Sequence, residues 1–252
     1  MDRSAATVPW QQGELSLRVV PMIARILVTG FEPFGGAPRN PSGDAARALD
    51  GRVLRKGVSR GGESCEGASR EGASREGASG KLAAVITGHV LPVRWDVAAE
   101  ALLAQVRAVE PEVVLCLGMA QGTFRVERFA DDARLGREDN AGALPVPERA
   151  VASTRLPSRL PVARIEAALR EEGVPVEESE DAGGFLCNEV FFALMTACAA
   201  GALPGVRQAG FLHVPSDRFV PEPIAQEAVE AAVMRSLQVV LEEIGEATLA
   251  PR

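Results

Sequence analysis

The sequence predicts an α/β fold: a single-domain three-layer sandwich whose mixed, largely parallel sheet is flanked by helices. Two observations predict it. Short apolar runs suited to buried strands alternate with longer amphipathic segments, and that alternation marks parallel strands joined by helical crossovers. The chain has 252 residues, 46% of them hydrophobic, enough for one sizeable core.

The elements follow in order. ARILVTGF, residues 24–31, reads as a buried first strand. After the loop EPFGGAPRNPS, Asn40 sits at a helix N-cap with Pro41 at the first helical position. The helix runs through GDAARALD, and Gly51 is positioned to end it. Residues 56–81 change character. Their EGASR repeat is too poor in apolar surface to offset ordering entropy and predicts a floppy surface insert. LAAVITGHVLPV is the next strand. WDVAAEALLAQVRAVE is a helix stopped by Pro111, and EVVLCLGMA is another buried strand. A polar stretch covers residues 122–150. A helix over 161–172 ends at Gly173, and VPVEES is a short strand. NEVFFALMTACAA predicts a helix opening just after Cys187, and AGFLHVP is the last core strand. An amphipathic helix from about Pro221 to Gly245 closes the chain. The domain therefore spans 24–248, with residues 1–23 as an N-terminal extension.

A net charge of −7 argues against nucleic acid or an anionic membrane as partner. No apolar run approaches the ~18 residues of a membrane span, and the N-terminus lacks the apolar core of a signal peptide. A cytoplasmic protein is expected. The four cysteines are irregularly spaced without a CxxC pair, so neither a disulfide framework nor a structural zinc site is expected.

Only two histidines, His89 and His213, are available to cysteine–histidine chemistry. Cys65 lies in the repeat insert, where nothing would hold it. Cys116 within VVLCLG reads as a small core hydrophobe, and Cys198 among alanines reads as packing. Cys187 stands at a helix N-terminus, where the macrodipole is expected to lower a thiol pKa and free amides to face an oxyanion. Gly183 and Gly184 would let backbone approach a ligand closely. His213 ends an apolar strand, where α/β sheets bind ligands, whereas His89 reads equally as a satisfied core histidine. Carboxylates are plentiful. Glu127, in the strand-like segment FRVERF after the Cys116 strand, is one candidate to orient the imidazole, although taken alone it reads more readily as an exposed charge paired with an arginine.

GFEPFGG followed by NPS, residues 30–42, resembles the N-terminal signature of the pyroglutamyl peptidase I family of cysteine peptidases. The resemblance continues in order through LPV (91–93), GMA (118–120), VER (126–128), DDAR and DN (131–140), DAGGFLCN (181–188) and GFLHVP (210–215). It implies removal of N-terminal pyroglutamate from peptides, with Cys187 as nucleophile, His213 as general base and Glu127 steadying the imidazole. It also implies that Arg134 lies near the developing oxyanion and that Phe31 and Phe34 pack on the lactam. Asn40 would support the loop, and Met119 and Phe185 would line the substrate pocket. No metal or cofactor is implied, and relatives often form dimers or tetramers, so a homo-oligomer is compatible. The chain departs from the pattern by shortened segments on either side of Glu127 and by the EGASR insert. Two alternatives accompany this reading: a non-catalytic member that binds pyroglutamyl peptides, and a cysteine hydrolase of another small cyclic amide.

Overall fold

A computed structural model of the chain describes residues 23–55, 83–216 and 224–249. The N-terminal extension up to residue 22, the EGASR insert with Cys65, and the Pro221 start expected for the last helix lie outside the described residues. In order, the elements are β1 (Ile23–Phe31), α1 (Pro41–Leu49), β2 (Val53–Arg55), β3 (Ala83–Leu91), α2 (Val97–Val109), β4 (Val113–Ala120), β5 (Phe124–Glu127), β6 (Phe129–Asp131), β7 (Arg155–Pro157), α3 (Val162–Glu171), β8 (Val176–Ser179), α4 (Leu186–Ala199), β9 (Gln208–Pro215) and α5 (Gln226–Leu249).

The apolar runs become the centre of a seven-stranded sheet of order β2-β3-β1-β4-β9-β5-β8. Strands β3, β1, β4 and β9 pair in parallel, while β2 runs antiparallel to β3 and β5 antiparallel to β9. Alternate residues of β1 face opposite layers, as a pleated strand requires. Ala24, Ile26 and Val28 join the core shared with α1, α3 and α5. Leu27 and Phe31 join the core shared with α2 and α4. Phe124 is buried in the first core and Phe191 and Phe211 in the second, each such side chain contributing about 1.5–3 kcal/mol. Asn40 caps α1 as expected: its side chain accepts the Ser42 N–H, and Pro41 fills a position whose N–H the helix does not need.

Three local differences from the sequence expectation bear on the site. In the polar stretch over 122–150, the strand-like FRVERF segment becomes β5, a full member of the main sheet, and an unexpected β6 pairs with β7 in a small antiparallel sheet. Phe124 and Val126 are buried on β5, as the strand-like reading of FRVERF implies. The short edge strand β2 was likewise not expected. Helix α4 begins at Leu186, before Cys187, so the thiol sits within the first turn. Among the described residues no helix is long and apolar enough to cross a membrane.

Candidate active site

The floor of the site is built by strand register. Gly118 of β4 stands opposite His213 of β9. On the other side of β9, Arg125 of β5 stands opposite His213 and Glu127 opposite Phe211. Side chains two residues apart on a strand share a face, so Phe211, His213, Arg125 and Glu127 all point toward the α2–α4 layer. The diagonal between Glu127 and His213 is within reach of long side chains, and Glu127 Oε1 lies 2.6 Å from His213 Nδ1. Glu127 is fully buried and His213 only 4% exposed. The carboxylate thereby fixes the ring and leaves Nε2 as the nitrogen available for proton transfer. Its other oxygen, Oε2, is buried with no hydrogen-bond partner among the described residues, and Arg125 Nε stands 3.9 Å from Oε1.

Cys187 comes to this floor from above. A methyl group at Gly118 would lie 2.7 Å from Cys187 Sγ and 2.7 Å from the Phe211 ring, so the thiol rests over a position that only glycine can fill. Burial pushes the Cys187 thiol up to about 12, and the Glu127 charge acts in the same direction, while Arg137 and then Arg125 oppose them. The lowered pKa expected from the helix terminus is therefore reversed: lost hydration of a thiolate outweighs the macrodipole. Cys116 is also pushed up to about 12 by burial, in keeping with a core residue.

Above the floor, Cys187 and His213 open into a cavity of about 510 Å³. Met119, Gln121, Phe34, Phe185 and Leu135 line it, together with Arg125, Arg137 and the 181–184 turn. Phe34 and Phe185 stand 5.7 Å apart, and Trp95 meets Phe185 edge-on at 5.2 Å, making an aromatic wall. Phe31 does not line this cavity; it is buried in the core at the end of β1. Asn40 is buried behind the loop, where its amide donates to the Glu32 carbonyl and its oxygen accepts from Ser42. His89 is half-buried on β3 opposite Thr29 and is not among the cavity residues.

Arg134, expected near the oxyanion, points elsewhere. Its guanidinium bonds Asp96 at 2.9 Å and Glu189 at 3.0 Å and lies over the Trp95 ring. It lines a separate depression with Asp96, Pro147, Arg149 and Phe192. Two carboxylates, one nearly buried on α4, draw it away from the cavity. Arg137, three residues on, borders the cavity mouth instead, its guanidinium 4.6 Å from the Phe185 ring and 5.2 Å from Phe34. The sequence held both arginines within DARLGREDN, and a loop has no periodicity to say which one turns inward. Gly184 borders the cavity, and its bare backbone also admits Leu135, whose Cγ would lie 2.2 Å from a methyl group there.

The Pyroglutamyl peptidase family model matches residues 63–250. The chain belongs to the pyroglutamyl peptidase family. Its members are cysteine exopeptidases, and the relatives carry matching names. Pyrrolidone-carboxylate peptidase of Cupriavidus pinatubonensis is 36% identical over 82% of this chain and 84% of its own length. That of Chromobacterium violaceum is 36% identical over 78% of this chain and 79% of its own. A variant of pyrrolidone carboxyl peptidase from Pyrococcus furiosus superposes with a TM-score of 0.69 at 30% identity, covering 87% of this chain and 99% of that one. The seven-stranded sheet with helices on both faces is thus a pyroglutamyl peptidase fold, and Cys187, His213 and Glu127 lie within the matched region.

Proposed function

We propose that this chain hydrolyses the amide bond after an N-terminal pyroglutamate, with Cys187, His213 and Glu127 as its catalytic group. One observation carries the reading: a buried carboxylate holds the imidazole at 2.6 Å in the same cavity as a thiol on a helix N-terminus. In this mechanism His213 Nε2 takes the Cys187 proton as the sulfur bonds to the pyroglutamyl carbonyl carbon. The protonated imidazole then passes that proton to the leaving amine, and a thioester remains. Water attacks the thioester with His213 again as base, releasing pyroglutamate and the free thiol. Glu127 stabilises the imidazolium in both halves. The first N–H groups of α4 have no helical acceptors and serve the oxyanion.

Phe34, Phe185 and Met119 suit the substrate, because a small uncharged lactam needs an apolar slot rather than a carboxylate for an ammonium group. A nucleophile that must remain a reduced thiol suits the cytoplasm. The test is release of a coumarin fluorophore from a pyroglutamyl amide under reducing conditions, with Cys187→Ala in parallel. Turnover by the parent and none by the variant is expected. Equal turnover by the variant would refute the nucleophile, and absence of turnover by the folded parent would refute the activity.

A further inference from the structure

Arg137 is held in place and yet unengaged. Its backbone is fixed from two sides: Trp95 Nε1 donates to its carbonyl at 2.8 Å, and its own N–H reaches Leu135 O at 2.7 Å. The loop that carries it is tied down as well. Leu135 N–H reaches Gly184 O at 2.7 Å, Trp95 N–H reaches Asp139 at 3.0 Å, and Asn140 donates to Glu32 and Pro33. The guanidinium spans the rings of Phe34 and Phe185 and borders the cavity of Cys187. Among the described residues no carboxylate lies within ion-pair distance of it. The contrast with the neighbouring arginines is sharp: Arg134 has Asp96 and Glu189, Arg149 has Asp132, and Arg155 has Asp131. A cation held over two aromatic rings, without a counter-charge among the described residues and open to solvent at a cavity mouth, is an anion-recognition position.

Its place selects which anion. Arg137 is exposed and so belongs to the mouth rather than the floor where the tetrahedral centre forms. A pyroglutamyl ring in the apolar slot and a scissile carbonyl at Cys187 send the rest of the peptide out past this rim. We propose that Arg137 is a specificity-determining residue that takes a carboxylate on the leaving side of the substrate. That carboxylate comes either from an acidic side chain next to pyroglutamate or from the free C-terminus of a pyroglutamyl dipeptide. This proposal rests on the function proposed above.

The experiment compares kcat/KM for four peptides: pyroglutamyl-glutamate amide, pyroglutamyl-glutamine amide, pyroglutamyl-alanine and pyroglutamyl-alanine amide. The first pair reads the side-chain source and the second the terminal source. At least one pair should favour the carboxylate by about fivefold at low salt, the size of one partly exposed ion pair. The preference should shrink in 0.5 M salt, vanish in Arg137→Gln and reverse in Arg137→Glu. Ratios near one in both pairs of the parent, or a preference that survives Arg137→Gln, would overturn it. A second readout needs no peptide hydrolysis: alkylation of Cys187 by anionic iodoacetate relative to neutral iodoacetamide. That ratio should fall severalfold in Arg137→Gln, and an unchanged ratio would overturn the anion site. If no peptide is cut but the ratio falls, the peptidase reading fails while the anion site stands.

Discussion

The floor and the wall of the cavity are built by different means. The floor consists of Gly118, His213 and Glu127 on three adjacent strands, with the thiol of α4 resting on it. Hydrogen-bond register sets which side chains meet there, and a slip of one residue would turn every one of them to the other face. The wall joins the rings of Phe34 and Phe185 to the loop over 132–149, whose arginines are directed by whichever carboxylates and rings lie nearby. The difference teaches that the chemistry is carried by the rigid sheet, while recognition is carried by a segment that can change charge and length without moving the nucleophile.

The largest expected effect lies on the floor. Glu127→Gln keeps the shape but presents the wrong partner to Nδ1, so kcat should fall by roughly 10³-fold with little change in KM. A steady-state comparison on a pyroglutamyl amide checks this, and a loss below tenfold would contradict the orienting role. Next comes the thiol. With His213→Asn no base remains beside a group pushed up to about 12. Alkylation of Cys187 should therefore slow by about 100-fold at pH 7 relative to the parent and recover only as pH climbs toward 12. A pH–rate profile with iodoacetamide reads it.

Gly118→Ala forces the sulfur and the Phe211 ring apart, and should cost about 1–3 kcal/mol of stability and at least tenfold in kcat. Activity retained at the parent level would mean that the thiol does not rest where the structure has it. The smallest effect on turnover belongs to the wall. Arg134→Gln should change kcat/KM less than tenfold, yet cost about 2 kcal/mol of stability, because Glu189 loses its cation. Burial already raises Glu189 to about 7, above its ordinary value. The folded state therefore binds more protons than the unfolded, and stability falls as pH rises from about 4.5 through 7. Removing Arg134 should steepen that fall, so chemical denaturation at pH 5 and pH 8 should show the greater loss at pH 8. A larger loss of kcat than of stability would return Arg134 to the oxyanion.

What the sequence determined by itself follows from local rules. Apolar runs bounded by Gly and Pro marked β1, β3, β4 and β9, because a doubly covered strand must be continuously apolar. The Asn40–Pro41 pair marked α1, because capping is a contact between near neighbours in the chain. The scarcity of histidine narrowed the base to two residues, and the motif order indicated the family. Tertiary structure alone decided the rest. The place of β5 in the sheet was hidden, because its pairing with β9 and β8 is set by long-range register and not by the strand-like pattern of FRVERF itself. The thiol pKa rose because desolvation depends on everything packed around the sulfur, while position on α4 reports only the nearest dipole. The choice between Arg134 and Arg137 depended on carboxylates at Asp96 and Glu189, which lie 38 and 55 residues away along the chain. Long-range partners of this kind leave no local trace, because a charged side chain on a loop settles wherever the folded surface offers its counter-charge.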